Sequence, residues 1–254
     1  MKSERLGLVL SGGGHRGVAH AGALKAMQER GIEPEVISGV SAGAIVGAMY
    51  AANYAPEDIV DLFKKIKLFS ISTFARRGAG FVSSAAFHNI LLDYFPENNF
   101  SSLSKELHIT VADLITARRK VFSSGELIPA ILASSAVPGV FTPIEIDGHL
   151  YTDGGILDNF PVKPLRKKVD EMIGIYVCPL KEMQISDFKR SYDVMNRALH
   201  LKMHSLSLDK FKECKTLICP QELCNYHLFQ SGQVDTIYKI GYDAAVAVLD
   251  AVES

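Results

Sequence analysis

The sequence is short of the features that mark exported or membrane-spanning proteins. Only four of its 254 residues are cysteines, and no apolar run approaches the roughly 18 residues that a membrane span needs. The first residues lack the long apolar region and small-residue cleavage site of a secretory signal peptide. These absences predict a cytoplasmic protein, so a disulfide framework among the four cysteines is not expected.

Net charge is almost absent as well. The chain has 27 Lys and Arg against 28 Asp and Glu, a formal net charge of −1. Local patches aside, no bulk field attracts nucleic acid or an acidic membrane, so no nucleic-acid partner is expected. The sequence also lacks internal repeats, low-complexity tracts and a clear linker. Because 48% of the residues are hydrophobic, residues 1–254 are predicted to form one domain with a sizeable core.

The sequence does contain an alternation of strand and helix patterns. The apolar run at 6–10 predicts a buried strand, and a glycine-rich turn and a helix at 18–30 follow it. A strand at 36–39 and a helix at 42–53 repeat the unit. This order predicts an α/β fold with a mainly parallel central sheet covered by helices on both faces. Further predicted elements are helices at 56–66 and 85–95, paired strands at 109–115 and 120–123, a helix at 126–136, a hairpin at 144–151, a strand at 173–178 and helices at 187–206 and 236–252.

The turn after the first strand, Gly-Gly-Gly-His-Arg-Gly at 12–17, has two interpretations that carry chemistry. Gly12, Gly14 and Gly17 satisfy the dinucleotide fingerprint G-x-G-x-x-G, but the acid expected at the end of the next strand is missing. Alternatively, glycine N–H groups at a helix N-terminus bind the oxyanion of an acyl-transfer reaction. In that case Arg16 adds a positive charge or ties the loop down. A merely tight turn is the plain alternative.

Residues 39–43, Gly-Val-Ser-Ala-Gly, fit the nucleophile-elbow pattern G-x-S-x-G. The pattern is weak alone, but it lies where a predicted strand ends and a predicted helix begins. Glycines two positions either side of Ser41 remove side chains that would collide in the sharp turn. Ser41 is therefore predicted to be a nucleophile, and the alternative is a simple helix N-cap.

A serine nucleophile needs a base, and no histidine has a setting that suits this role. The remaining motif is Asp153-Gly154-Gly155, which follows the predicted hairpin. Two glycines after the aspartate permit a tight turn that aims its carboxylate into a cleft. For this tripeptide alone, a plain Asp-Gly turn is the default interpretation.

Four motifs in this order resemble the patatin-like phospholipases. They are the glycine-rich loop at 12–17, the serine elbow at 39–43, the stretch Ala133-Ser134-Ser135-Ala136-Val137-Pro138-Gly139 and Asp153-Gly154-Gly155. Each motif is weak, but the ordered set is highly specific and covers about residues 6 to 165. The length, without further domains, resembles the short bacterial members. The last ninety residues carry no recognisable signature.

The resemblance implies a patatin-like α/β/α fold and a Ser–Asp dyad that needs no cofactor. Ser41 would attack the carbonyl of a phospholipid, lysophospholipid or simple ester, and Asp153 would take its proton and later help water release the acyl group. Asp153 is expected in a partly desolvated site that raises its pKa above the usual value of about 3.9. The implied oxyanion hole comprises Gly12, Gly13 and Gly14, with Arg16 supporting the loop.

Histidines and cysteines in the last third do not indicate a metal site. His200 and His204 share a predicted helix face, and three cysteines are spaced too widely for a typical zinc site. The interpretation is packed cysteines and surface histidines, with no metal. The cysteines in question are Cys214, Cys219 and Cys224, with His227 nearby.

The segment at 67–100 mixes aromatic, basic and small residues and is interpreted as a mobile insertion around one helix. It is either a lid or lipid-docking surface, which implies peripheral membrane contact, or an ordinary covering loop. Two other functions compete with hydrolysis. One is a catalytically silent lipid-binding or regulatory protein on the same fold, and the other is a nucleotide-dependent oxidoreductase.

Overall fold

The computed structural model describes residues 5–77, 84–226 and 233–253. Within these residues the chain forms eight strands and eight α-helices. In chain order they are β1 (Leu6–Leu10), α1 (Val18–Gln28), β2 (Val36–Val40), α2 (Ala42–Ala51), α3 (Pro56–Arg77), α4 (Ser84–Tyr94), β3 (Glu106–Asp113), β4 (Arg118–Phe122), α5 (Leu127–Ser134), β5 (Ile144–Ile146), β6 (His149–Asp153), α6 (Gly155–Asp158), β7 (Glu171–Ile175), α7 (Ser191–Phe211), β8 (Thr216–Ile218) and α8 (Val234–Glu253).

The strands make one sheet in the order β5-β6-β3-β2-β1-β7-β8, and β4 also pairs with β3. The five strands from β3 to β8 in this order are parallel, whereas β4, β5 and β6 are joined by antiparallel pairings. The central part of the sheet is therefore parallel, and the predicted α/β class is confirmed.

Helices cover both faces of this sheet. Alternate residues of β1 point to opposite sides, so Leu8 and Leu10 join one apolar core and Val9 joins the other. The larger core receives α1, α2, α5 and α8, and the smaller one contains Phe160 and Tyr176, with Phe211 of α7 packed against them. The prediction of helices on both faces is confirmed.

The register on β3 brings two distant parts of the chain together. Val40, the last residue of β2, pairs with Thr110 of β3. The next residue of β3, Val111, pairs with Asp153 at the end of β6. Because β6 runs antiparallel to β3, β2 and β6 end facing each other along the same edge of β3. The residue after Val40 therefore lies beside Asp153.

Several elements differ from the sequence predictions; helix α7, for example, was expected at 187–206 and spans Ser191–Phe211. The helix expected to end at residue 66 continues to Arg77, since the sequence has no glycine or proline between Pro56 and Gly78 to stop it. The strand expected at 173–178 is β7, which ends at Ile175. The three-residue strand β8 was not predicted, because so short a run carries no readable period.

The predicted insertion at 67–100 is described only in part. Residues 78–83, in the middle of the segment predicted to be a lid or a docking surface, lie outside the described residues. The helix expected at 85–95 corresponds to α4. No helix in the described ranges combines the length and apolar character needed to cross a membrane.

Candidate active site

Ser41 occupies a strained turn between β2 and α2. Its φ of 54° lies in the left-handed region, which non-glycine residues rarely adopt. A Cβ on Gly39 would come within 2.3 Å of the Gly43 carbonyl oxygen, and one on Gly43 within 2.3 Å of the Leu10 carbonyl oxygen. The Ser41 hydroxyl makes no capping hydrogen bond to α2. The flanking glycines are thus required by close packing, and Ser41 does not serve as an N-cap through its side chain.

A second serine holds this turn in place. The Ser41 N–H donates to the Ser134 hydroxyl oxygen over 2.8 Å, and the Ser134 hydroxyl donates to the Thr110 carbonyl over 2.7 Å. Ser134 is fully buried at the end of α5. The stretch at 133–139 therefore ties the elbow to the central strand β3, which helps to stabilise the strained backbone.

Asp153 lies beside Ser41 and is buried, with 5% of its surface exposed. The Gly155 N–H donates to its Oδ1 over 2.7 Å. Burial raises the pKa of Asp153 to about 6, although the neighbouring Ser41 hydroxyl and the Gly155 N–H act in the opposite direction. A Cβ on Gly154 would come within 2.4 Å of the Thr110 carbonyl oxygen, so this glycine is needed for the carboxylate to reach its position.

The glycine loop faces the same cleft. Gly13 and Gly14 line it together with Ser41 and Asp153, and Gly14 adopts a positive φ of 53°. Gly12 was also predicted to donate its N–H to an oxyanion. In the structure this N–H points to the Asn159 backbone carbonyl, over 3.4 Å. The geometry therefore favours Gly13 and Gly14 over Gly12 as donors to a group bound in the cleft.

Arg16 is buried directly behind the loop. Its Nε–H donates to the Tyr226 carbonyl over 2.7 Å, and the nearby Cys178 thiol donates to the Gly12 carbonyl over 3.2 Å. Burial lowers the pKa of this guanidinium, although nearby groups favour its charge. These contacts are those of a residue that ties the loop to the C-terminal part of the chain.

Helix α7 forms a wall of the cleft that the sequence did not reveal. Asn196, Leu199, His200 and Met203 line the cleft, at the i, i+3, i+4, i+7 spacing of one helix face. This spacing was a readable signal, but nothing in it indicated which part of the protein the face covers. Apolar residues from other elements complete the lining: Val137, Pro138 and Ile156.

The prediction that His200 is a surface histidine is wrong. It is half-buried in the wall of the cleft, where burial lowers its pKa to about 4. The imidazole is therefore neutral near pH 7. Ser41 and Asp153 line the same cleft, so the structure brings together the two residues that the motifs singled out separately.

Asn159 is a further buried residue that sequence reasoning missed. Besides accepting the Gly12 N–H, it places its side-chain oxygen against two glycines. A Cβ on Gly12 would lie 2.4 Å from Asn159 Oδ1, and one on Gly155 would lie 2.8 Å from it. Asn159 thus packs between the glycine loop and the Asp-Gly-Gly turn. No spacing rule pointed to it, because both contacts depend on the folded sheet.

The described residues contain no group of three or more histidine, cysteine, aspartate or glutamate side chains placed to hold a metal ion. Of the cysteines considered for such a site, Cys214, Cys219 and Cys224 are described and are free thiols. His227 lies outside the described residues.

Comparison with known proteins identifies the family of this chain. The family model described as Patatin-like phospholipase matches residues 8–166. Lysophospholipase NTE1 of Candida glabrata is 29% identical over 177 residues, which cover 66% of this chain and 10% of that protein. An uncharacterized NTE family protein of Mycobacterium tuberculosis is 34% identical over 169 residues, which cover 64% of this chain and 46% of that protein. The chain therefore spans from about a tenth to about half of the length of these relatives.

The fold is also similar to that of a solved structure. VipD from Legionella pneumophila superimposes with a TM-score of 0.59 over 98% of this chain and 67% of that chain, at 18% sequence identity. At this identity the similarity bears on the fold alone. The family match extends over more than half of the sequence and includes the serine elbow, the glycine loop and the Asp-Gly-Gly turn. The chain belongs to the patatin-like phospholipase family.

Proposed function

We propose that this protein hydrolyses acyl esters of lipids through a Ser41–Asp153 dyad and an acyl-enzyme intermediate. One observation carries the proposal: the strained Ser41 and the buried carboxylate of Asp153 line the same apolar cleft. A buried carboxylate with a raised pKa next to a serine is the arrangement expected of a nucleophile and its base.

In the first half-reaction, Asp153 accepts the Ser41 proton as Oγ attacks the ester carbonyl carbon. The carbonyl oxygen becomes an oxyanion, and the N–H groups of Gly13 and Gly14 are the proposed donors to it. When the tetrahedral intermediate collapses, the bond to the leaving alcohol breaks and protonated Asp153 returns the proton to that alcohol. The acyl group is then bound to Ser41 as an ester.

In the second half-reaction, Asp153 takes a proton from water, which attacks the acyl-serine carbonyl. Collapse of this intermediate releases the fatty acid, and Asp153 returns the proton to Ser41. A pKa of about 6 suits both directions, since the carboxylate is ionised near pH 7 and still basic enough to accept a proton. This assignment needs no histidine and no cofactor.

The lining of the cleft supports an acyl chain as the bound group. Val137, Pro138, Ile156, Leu199 and Met203 are apolar, and a fatty acyl chain is stabilised by removing its surface from water. Four fungal relatives carry the name lysophospholipase, which agrees with a lipid substrate. We further propose that residues 1–254 fold as one domain, and that this domain acts in the cytoplasm on lipid esters and contacts membranes peripherally.

The test compares hydrolysis of p-nitrophenyl esters by the wild type, Ser41→Ala and Asp153→Asn. Each substitution is expected to lower kcat by about a thousandfold or more, because it removes the nucleophile or its base. Ser124→Ala and Asp147→Asn are matched controls at exposed positions and are expected to retain activity. Unchanged hydrolysis in both dyad variants would refute the mechanism.

A fluorophosphonate probe tests the intermediate directly. Covalent labelling is expected at Ser41 and is expected to be lost in Ser41→Ala, as mass spectrometry of the labelled peptide would show. A wild-type protein that binds lipid but neither reacts with the probe nor hydrolyses esters would favour the catalytically silent lipid-binding protein. Stabilisation by NAD(P) without esterase activity would favour the oxidoreductase.

A further inference from the structure

Exposed apolar side chains are concentrated in two segments of this molecule. Of the ten large hydrophobic side chains that are exposed among the described residues, nine lie at 114–115 or 185–208. The tenth, Val252, lies at the end of α8. We call the nine the exposed apolar surface; they are Leu114, Ile115, Ile185, Phe188, Val194, Met195, Leu201, Leu206 and Leu208.

Most of this surface belongs to α7, which has one face toward the cleft and the opposite face toward solvent. One face lines the catalytic cleft, as described above. On the opposite face, Val194, Leu201 and Leu208 recur every seven residues and are 55%, 48% and 51% exposed. Because seven residues make almost two helical turns, these side chains form one stripe along the outside of the helix. The wall of the cleft therefore carries an apolar outer side.

The second segment lies at the same end of the sheet. Leu114 directly follows β3, at the edge where Ser41 follows the parallel strand β2. Buried Asp158 links the two segments, because it forms ion pairs with Arg119 of β4 and with Lys210 of α7. The β3–β4 hairpin and α7 are thus joined beside the catalytic centre.

Charge in these segments differs from that of the whole chain. Residues 114–120 and 179–208 carry eight lysines and arginines and only three aspartates and glutamates, although the complete chain has slightly more acids than bases. Exposed cations among them include Arg118, Lys120, Lys189, Arg190 and Lys202. An apolar stripe with cations beside it is the pattern that binds anionic lipid surfaces.

We infer that the exposed apolar surface docks the protein onto an anionic phospholipid bilayer. The apolar side chains enter the boundary between headgroups and acyl chains, and the neighbouring cations contact the headgroup phosphates. Docking on the outer side of α7 holds the cleft mouth close to the lipid from which a substrate would come. That docking supplies lipid substrate to the cleft rests on the proposed function. Binding of the protein to the bilayer does not require catalysis.

The test measures co-sedimentation of the full chain with vesicles, using Ser41→Ala so that the lipid is not consumed. Vesicles of phosphatidylcholine alone are compared with vesicles that also contain phosphatidylglycerol. Binding is expected to the anionic vesicles, to weaken as salt is added, and to fall at least about tenfold when Ile185, Val194 and Leu201 are all changed to serine. Val252→Ser, which removes the exposed apolar residue of α8, is the matched control and is expected to bind as before.

The same triple substitution in the chain with Ser41 intact separates docking from catalysis. Its hydrolysis of the soluble p-nitrophenyl acetate is expected to equal that of the wild type, whereas a failure of the proposed function would leave the wild type inactive in this assay. Equal binding of the triple variant and the control to anionic vesicles would overturn the inference. The inference would also be overturned if the wild type did not bind vesicles but formed a dimer that the triple variant cannot form. Sedimentation velocity detects such a dimer.

Discussion

The two long C-terminal helices, α7 and α8, are similar in length and opposite in placement. Helix α8 packs against α1 so closely that a Cβ on Gly241 would lie 2.0 Å from the Ala19 carbonyl oxygen. Its buried residues, Val234, Ile237, Ala245 and Leu249, join the larger core. Helix α7 has only Ser207 fully buried among its described side chains, and it exposes five of the nine residues of the exposed apolar surface.

The contrast separates two uses of a helix. The apolar face of α8 is buried against the rest of the protein, so this helix contributes to the free energy of folding. In α7, one face lines the candidate active-site cleft and the opposite face is exposed, so few of its apolar side chains stabilise the fold. Substitutions in α8 should therefore change stability, whereas those in α7 should change binding and substrate preference.

The largest effect is expected at the contact between α1 and α8. Gly241→Ala should lower the free energy of unfolding by about 3 kcal/mol, because the added methyl group meets backbone and the helices must separate. Denaturant unfolding measures the loss. In α7, Ala198→Val adds more bulk at an exposed position and should change stability by less than about 1 kcal/mol. Equal losses in the two variants would remove the distinction between the helices.

A substitution in the site beneath α7 should raise the free energy of unfolding, whereas Gly241→Ala lowers it. The pKa of Asp153 is raised from 3.8 to about 6 in the folded protein, so keeping it ionised destabilises the fold above pH 6. Asp153→Asn should therefore raise stability by about 2–3 kcal/mol at pH 8 while abolishing hydrolysis. The gain should shrink as the pH falls from about 6 to about 4. Thermal unfolding across this range measures it, and a gain independent of pH would exclude the carboxylate as its source.

The attachment of α7 to the fold provides a smaller effect. Lys210 and Arg119 both pair with buried Asp158, so Lys210→Met removes one of its two cations. The free energy of unfolding should fall by about 1–2 kcal/mol, since Arg119 still compensates the carboxylate. Lys212→Met removes only an exposed pair with Asp209 and should have little effect in urea unfolding. If the two variants lose the same stability, Asp158 does not anchor α7.

The smallest effect concerns the inner face of α7. Met203→Phe adds bulk to the cleft and should lower kcat/KM several-fold for p-nitrophenyl octanoate relative to the acetate, by restricting room for the longer acyl chain. Met195→Phe is the matched control, because Met195 is 63% exposed on the same helix. A shift in chain-length preference from both variants, or from neither, would show that the inner face does not select the acyl chain.

Elements whose signals are local in the sequence, such as α8, could be predicted, whereas the position of α7 over the cleft could not. Short apolar runs predict the first two strands, and a helical apolar pattern predicts α8. Both signals depend only on residues that are close in the sequence. The elbow at Ser41 was readable for the same reason, since its glycines act locally. The end of α3 differs from the prediction because mixed aromatic and basic residues favour a loop, whereas no helix-breaking residue between Pro56 and Gly78 stops the helix.

The parts of the site that escaped prediction all depend on contacts between distant residues. Asn159 acts through Gly12, almost 150 residues away, and His200 enters the cleft only because α7 crosses above the sheet. The motifs singled out Ser41 and Asp153 separately. Their pairing came from the family resemblance, because no spacing in the sequence states that two strands end facing each other.

The shared register on β3 also has a kinetic consequence. Ser41 and Asp153 meet only when β2 and β6 have both paired with neighbouring residues of β3. Such long-range pairing forms slowly compared with local helices. Esterase activity recovered after dilution from denaturant should therefore report completion of the sheet, and should lag behind the return of the far-ultraviolet helical signal.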